Sequence, residues 1–272
     1  MYNELKEKVD VVVAFTHLDL EDDIKLAQEL PDLGLIMGGH EHDMKFEKIG
    51  DVYITKANAN AKSAYINKLT IDVKNGTSEV KPELKFLDES VPFEPNTKQV
   101  VDQWVKIAND NYSSLGFNAD EVILSEGEAL EGRETVIRSQ STNLTQMVVK
   151  AMQAAAPKAD AVFVNGGAIR VDDVVYPPLS QYDILRAMPF GGGIREADVK
   201  GSVLIQVLEA GLANKGKGGF LHYNDNIKKE NDKWLMAGAP IEADKIYRVG
   251  TLDFVFSGRE MNLEFFKEGH PD

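Results

Sequence analysis

Cysteine is absent from this 272-residue chain, tryptophan occurs twice and histidine five times. Without cysteine there is neither a disulfide framework nor a thiolate metal site. No apolar run approaches the ~20 residues of a membrane span. The amino end, Met1-Tyr2-Asn3-Glu4-Leu5-Lys6, lacks a signal peptide's charged-then-apolar plan and reads as a polar helix turn entering a strand. Basic charge is scarce as well: 30 Lys and Arg stand against 44 Asp and Glu, a net charge of -14. That balance repels nucleic-acid polymers and anionic membrane surfaces, so an anionic small-molecule substrate must be met by a local cluster of arginines. No internal repeat or low-complexity segment is visible. The 43% hydrophobic content is normal for a packed protein, and the length fits one large or two ordinary domains.

Patterning predicts a mixed α/β (α+β) fold. Its first part reads as a strand at Val9 to Phe15, a helix at Leu20 to Leu30, a strand at Leu33 to Met37, and β-rich pieces at Val52 to Lys56, Ala64 to Val73 and Glu79 to Leu87. Asn75-Gly76 is a hairpin signal between the last two. The acidic run Asp19 to Asp23 suits a helix amino end. A linker from Glu89 to Asn96 precedes a helix from Lys98 to about Leu115, with Asn96 or Thr97 as its cap. The composition then restarts, with a strand at Glu121 to Leu124, a helix at Thr142 to Ala156, a strand at Ala159 to Val164, a helix at Lys200 to Asn214 and a strand at Ile246 to Thr251.

Two apolar runs end in histidine. Val11-Val12-Val13-Ala14-Phe15-Thr16 leads to His17, and Leu33-Gly34-Leu35-Ile36-Met37 leads to Gly38-Gly39-His40-Glu41-His42-Asp43. Side chains at i and i+2 of an extended segment point the same way, so His40 and His42 are expected to converge. By itself such a hexad also suits a solvated loop. Two neighbouring parallel strands, however, deliver His17 and His40/His42 to one rim, where open α/β sheets place their sites. Metal binding is the expectation.

A second constellation is Asn165-Gly166-Gly167-Ala168-Ile169-Arg170 after the strand at Ala159 to Val164. Its glycines, Gly167 among them, permit close approach of a ligand, its amide donates and accepts, and its guanidinium forks onto phosphate or carboxylate. Arg133 and Arg138 lie upstream, and Met188-Pro189-Phe190-Gly191-Gly192-Gly193 sets an aromatic beside a glycine hinge. Arginines with an exposed aromatic suit a nucleotide, base on ring and phosphate on guanidinium. By pattern alone Phe190 is equally a core residue.

Taken together, Asn165 to Arg170, Pro189-Phe190-Gly191-Gly192 and Arg138-Ser139-Gln140-Ser141-Thr142-Asn143-Leu144 resemble the carboxyl-terminal domain of the 5'-nucleotidase family. Thr16-His17-Leu18 and Gly38-Gly39-His40-Glu41-His42 resemble the last two motifs of the calcineurin-like metallophosphoesterase domain that precedes it. The resemblance implies the remnant of a metallophosphoesterase α/β sandwich over 1–93, a helical linker over 94–117 and a substrate-binding domain over 118–272. It implies His17 and His40 as ligands of one divalent ion and His42 of the other, the two ions being Zn, Mn or Mg. Arg133, Arg138, Asn165, Gly167 and Arg170 correspond to substrate-binding positions, and Phe190 and Phe254 to the walls of a base clamp. Glu260 in Ser257-Gly258-Arg259-Glu260-Met261 stands for a ribose-binding aspartate of a Gly-Asp run, and Thr145 replaces a usual glycine.

The family's early Asp-x-His, Gly-Asp and Gly-Asn-His motifs, with the catalytic histidine, do not precede His17. The resemblance therefore implies catalytic residues upstream of Met1, an inactive isolated chain, and a periplasmic or extracellular parent that hydrolyses nucleotides, cyclic nucleotides or nucleotide sugars. Alternatives are a phosphatase of the same family acting on a sugar phosphate, and a nucleoside-binding module without chemistry. His222 and His270 read as loop or solvated histidines, and Trp104 and Trp234 as packing residues.

Overall fold

The computed structural model describes residues 1–271, which fall into two compact units, Met1–Val101 and Asp102–Asp272. Both mix helix and strand, as the patterning requires.

The first unit opens on a single helical turn, α1 (Tyr2–Leu5), followed by β1 (Val13–Phe15), α2 (Leu20–Glu29), β2 (Leu35–Gly38), β3 (Lys45–Ile49) and β4 (Val52–Lys56). The strands form one sheet in the order β1-β2-β4-β3. Both β1 and β4 run parallel to β2, and β3 runs antiparallel to β4. Ala27 of α2 packs on Ile36, Val52 and Ile54, which with Leu33 form the core. The strand expected from Val9 is shorter because its partner begins late. Val13 pairs with Leu35, the first residue of β2, and before it the Val12 carbonyl accepts Gly34 N–H without extending the paired register. The patterning missed β3, whose Lys-Phe-Glu-Lys-Ile sequence lacks a clean two-residue alternation and forms an exposed edge strand. β5 (Ser63–Asp72) and β6 (Thr77–Phe86) make a hairpin of two ten-residue strands around Asn75-Gly76. The Asp72 carboxylate accepts the backbone N–H groups of Lys74 and Asn75 in that turn.

α3 (Pro95–Ser114) starts three residues before the expected Lys98. Its amino end is satisfied by Glu94, whose carboxylate accepts the N–H groups of Asn96 and Thr97 at 3.1 and 2.6 Å, so neither Asn96 nor Thr97 is the cap. Pro95 has no N–H to satisfy in that turn. Trp104 on this helix is 64% exposed, which corrects its assignment as a packing residue.

The second unit carries β7 (Val122–Leu124), β8 (Leu130–Glu131), α4 (Glu134–Ile137), α5 (Asn143–Ala155), β9 (Ala161–Asn165), β10 (Val174–Val175), β11 (Leu179–Ser180), α6 (Gln181–Ala187), β12 (Ile194–Lys200), α7 (Gly201–Ala213) and β13 (Leu221–Tyr223). A meander, β14 (Ile227–Glu230), β15 (Lys233–Met236) and β16 (Ala239–Pro240), leads to β17 (Ile246–Leu252). The central sheet has the order β12-β17-β9-β13, with β9 parallel to β17 and antiparallel to β13. Every residue of β9 is buried. Strand alternation sends Ala161 and Phe163 toward Val203, Leu204, Val207 and Leu208 of α7. Val162 and Val164 face Val149 and Met152 of α5. Helices thus cover both faces of β9, which explains its unbroken apolar run. Trp234 is buried as expected, its indole N–H donating to Glu209.

Candidate functional site

In the first unit, Thr16 N–H bonds to the Met37 carbonyl, so the chain leaves β1 and β2 side by side. His17 and His40 then meet with ring centroids 5.2 Å apart and planes nearly perpendicular. His40 Nε2 lies 3.0 Å from Asp19 Oδ1. The expected rim therefore forms, but not through an extended Gly-Gly-His-Glu-His segment. β2 stops at Gly38, and His40 and His42 adopt positive φ values of 90° and 61°. The same-side rule for i and i+2 does not apply to such a turn. His17 and His40 are brought together, while His42 lies further along, its carbonyl bonded to Ala59 N–H.

Two adjacent imidazoles beside a carboxylate are a nitrogen and oxygen donor set that suits Zn or Mn. These residues fit part of a metal shell. Lys56, the last residue of β4, is wholly buried behind them with Asp23, and its ammonium also bonds Glu41. Burial pushes the Glu41 carboxyl up, but the hydrogen bonds and charge of Lys56 outweigh it and hold the group below its ordinary value. Sequence reasoning overlooked Lys56. A lysine ending a buried strand was the available signal.

In the second unit, Asn165 ends β9 and a short 3-10 turn, Gly166–Ala168, follows. The N–H groups of Gly166 and Gly167 bond to the carbonyls of Phe220 and Gly218 at 2.7 Å, so this turn is locked by backbone. A cavity of about 1370 Å³ opens beside it, lined among others by Asn165, Gly167, Phe190, Phe254, Arg259 and Glu260. Phe190 is 71% and Phe254 47% exposed, which removes the core reading of Phe190. The Asn165 amide donates to Glu260 Oε2 at 2.7 Å, and Glu260 Oε1 accepts Met261 N–H at 2.9 Å. Arg195 and Asp253, also in the lining, pair with each other. The Gly193 N–H and then Arg195 hold the Asp253 carboxyl below its ordinary value.

The three arginines expected at the substrate, Arg133, Arg138 and Arg170, do not line this cavity. Arg138 Nη1 sits 2.7 Å and Arg170 Nη1 3.7 Å from opposite oxygens of Glu134, so these two guanidiniums converge. Arg133 is turned to Glu131 instead, donating from Nε at 2.9 Å. Thr145 has a clear local role. Its Oγ1 accepts Thr142 N–H at 2.8 Å while Thr142 Oγ1 accepts Thr145 N–H at 3.3 Å, a capping box on α5.

His222 corrects another expectation. It is no loop or surface residue but stands in β13 opposite Val164, 2% exposed, edge-on to Phe220. Among the described residues neither ring nitrogen has a well-formed hydrogen bond. Burial pushes it down to about 4, with the Ile137 backbone opposing weakly.

Residues 122–268 match the family model of the 5'-nucleotidase C-terminal domain. Trifunctional nucleotide phosphoesterase protein YfkN of Bacillus subtilis is 27% identical, over 97% of this chain and 19% of its own length. Protein UshA of Escherichia coli is 25% identical, over 93% of this chain and 54% of its own. The solved 5'-nucleotidase precursor from Thermus thermophilus superposes with a TM-score of 0.73 at 20% identity, covering 94% of this chain and 56% of that one. The chain spans between 19% and 56% of these three proteins.

Proposed function

The chain belongs to the 5'-nucleotidase family through its C-terminal domain, and on that premise we propose that it supplies the substrate-binding domain and part of the metal shell of a metal-dependent phosphoester hydrolase acting on nucleotides. The observation that carries this reading is the cavity flanked by the exposed rings of Phe190 and Phe254 at the carboxyl end of β9. An exposed aromatic pair beside a polar amide suits a nucleobase and its ribose. The convergent guanidiniums of Arg138 and Arg170 suit the phosphate, which this acidic chain must otherwise repel. Arg133, turned to Glu131, meets a phosphate only by releasing that partner.

His17 and His40, with Asp19 beside them, would hold one divalent ion, and His42 belongs to the second. Such ions, when bound, lower the pKa of a water and polarise the phosphoryl group. The residues of this chain orient ligands and substrate, and the three histidines alone leave a two-ion shell incomplete. A periplasmic or extracellular setting for the parent is part of the proposal. Among the described residues no helix is long and apolar enough to cross a membrane.

One observation favours a second reading, a phosphatase for a sugar phosphate. Both Glu260 oxygens are engaged internally, by Asn165 and by Met261 N–H, which leaves less of the carboxylate for ribose hydroxyls. Calorimetric titration of the chain with AMP and with glucose 6-phosphate separates the two. Tighter binding of AMP supports nucleotide recognition, and preference for the sugar phosphate replaces it with the second reading.

A further inference from the structure

Lys56 Nζ donates to the Leu18 carbonyl at 2.7 Å and to both Glu41 oxygens at 2.9 and 2.8 Å, and lies 2.8 Å from Asp23 Oδ2. Leu18 directly follows His17, and Glu41 stands between His40 and His42. One ammonium therefore grips both histidine-bearing segments, donating to the Leu18 carbonyl and the Glu41 carboxylate while Asp23 holds it as an ion pair.

Two features argue that this grip serves the rim. First, Lys56 and Asp23 are sealed from solvent. Burying an ion pair carries a heavy desolvation cost for each ion and is a poor route to stability compared with an apolar cluster of the same volume. Second, the neighbouring backbone is shaped around it. A Cβ on Gly38 would stand 2.8 Å from Lys56 Cε and 3.1 Å from Asp23 Oδ2, so glycine is what lets the lysine pass beneath the strand end. The positive φ of His40 and His42 is unfavourable for non-glycine residues and persists only where the surroundings impose it. Glu41, held by Lys56, is the anchored residue between them.

We propose that Lys56 is a positioning residue that sets the separation of His17 and His40 for a divalent ion, acting through Leu18 on one side and Glu41 on the other. The inference rests on the metal reading above. Its test is a Mn²⁺ titration of the full 272-residue chain, followed by broadening of the His17 and His40 imidazole resonances, with folded fraction checked by circular dichroism. At equal folded fraction, Lys56→Met and Glu41→Ala should each require about tenfold more Mn²⁺ for half-broadening, the usual scale for losing a partner that orients a ligand. Glu41→Ala leaves the Asp23–Lys56 pair intact, so the loss is readable even where Lys56→Met fails to fold. Glu41→Gln keeps an acceptor for Lys56 and should recover most of the affinity. A purely structural Lys56 would lower the melting temperature yet leave Mn²⁺ affinity unchanged in Glu41→Ala, and that result overturns the proposal. An unaltered chain whose imidazoles ignore Mn²⁺ overturns the metal reading and this inference with it.

Discussion

The side-chain amide of Asn165 donates to Glu260 Oε2 at 2.7 Å, joining the end of β9 to a segment 95 residues later in the chain. Both side chains are buried, so the bond braces one wall of the cavity as well as orienting the amide. Glu260→Ala strands the Asn165 amide without a partner. The expected cost is about 1–3 kcal/mol, read as a lower urea midpoint at unchanged slope.

Phe190 presents the opposite case. Its exposure means that Phe190→Ala should leave stability within about 0.5 kcal/mol of the unaltered chain. Urea denaturation checks this, and a large loss would show that the ring packs internally.

His222 gives stability a specific pH dependence. Its folded value of about 4 lies below the ordinary 6.5, so as pH falls the unfolded chain takes up the proton first. No penalty applies above about pH 6.5. Stability then falls between about 6.5 and 4 and levels off below, where both states are protonated. The loss at pH 4.5 relative to pH 7 is roughly 2–3 kcal/mol. His222→Leu should lack that component when urea unfolding is compared at the two pH values. Equal pH dependence in both proteins would show that His222 titrates normally.

At the start of α5, Thr145→Gly removes one half of the capping box and places glycine in the first turn. Together these should cost about 1–2 kcal/mol. Thermal unfolding provides the measurement, and Thr142→Ala should cost about 1 kcal/mol through the same cap.

Features set by local pattern were legible in the sequence. The hairpin at Asn75-Gly76, the buried run of β9, the helices α5 and α7, and the meeting of His17 with His40 follow from strand period, turn chemistry and chain order. What escaped depends on contacts distant in sequence. Lys56 is unremarkable until Leu18, Asp23 and Glu41 are seen around it. His222 reads as a loop histidine beside Gly218-Gly219 because the neighbours it meets in β13 include Val164 and Gly166 of the β9 segment. The turn at His40 and His42 breaks the strand period that placed them side by side. Arg133, by contrast, was assigned by position in a motif, and its closest carboxylate, Glu131, redirects it.

The most direct measurement is a calorimetric titration of adenosine into the unaltered chain, Phe190→Ala and Phe254→Ala. If the two rings hold a nucleobase, each substitution should weaken binding by about 1–3 kcal/mol, the scale of one base–aromatic stack, with folding intact. Adenosine affinity that is unchanged in both variants would contradict nucleotide recognition at this cavity.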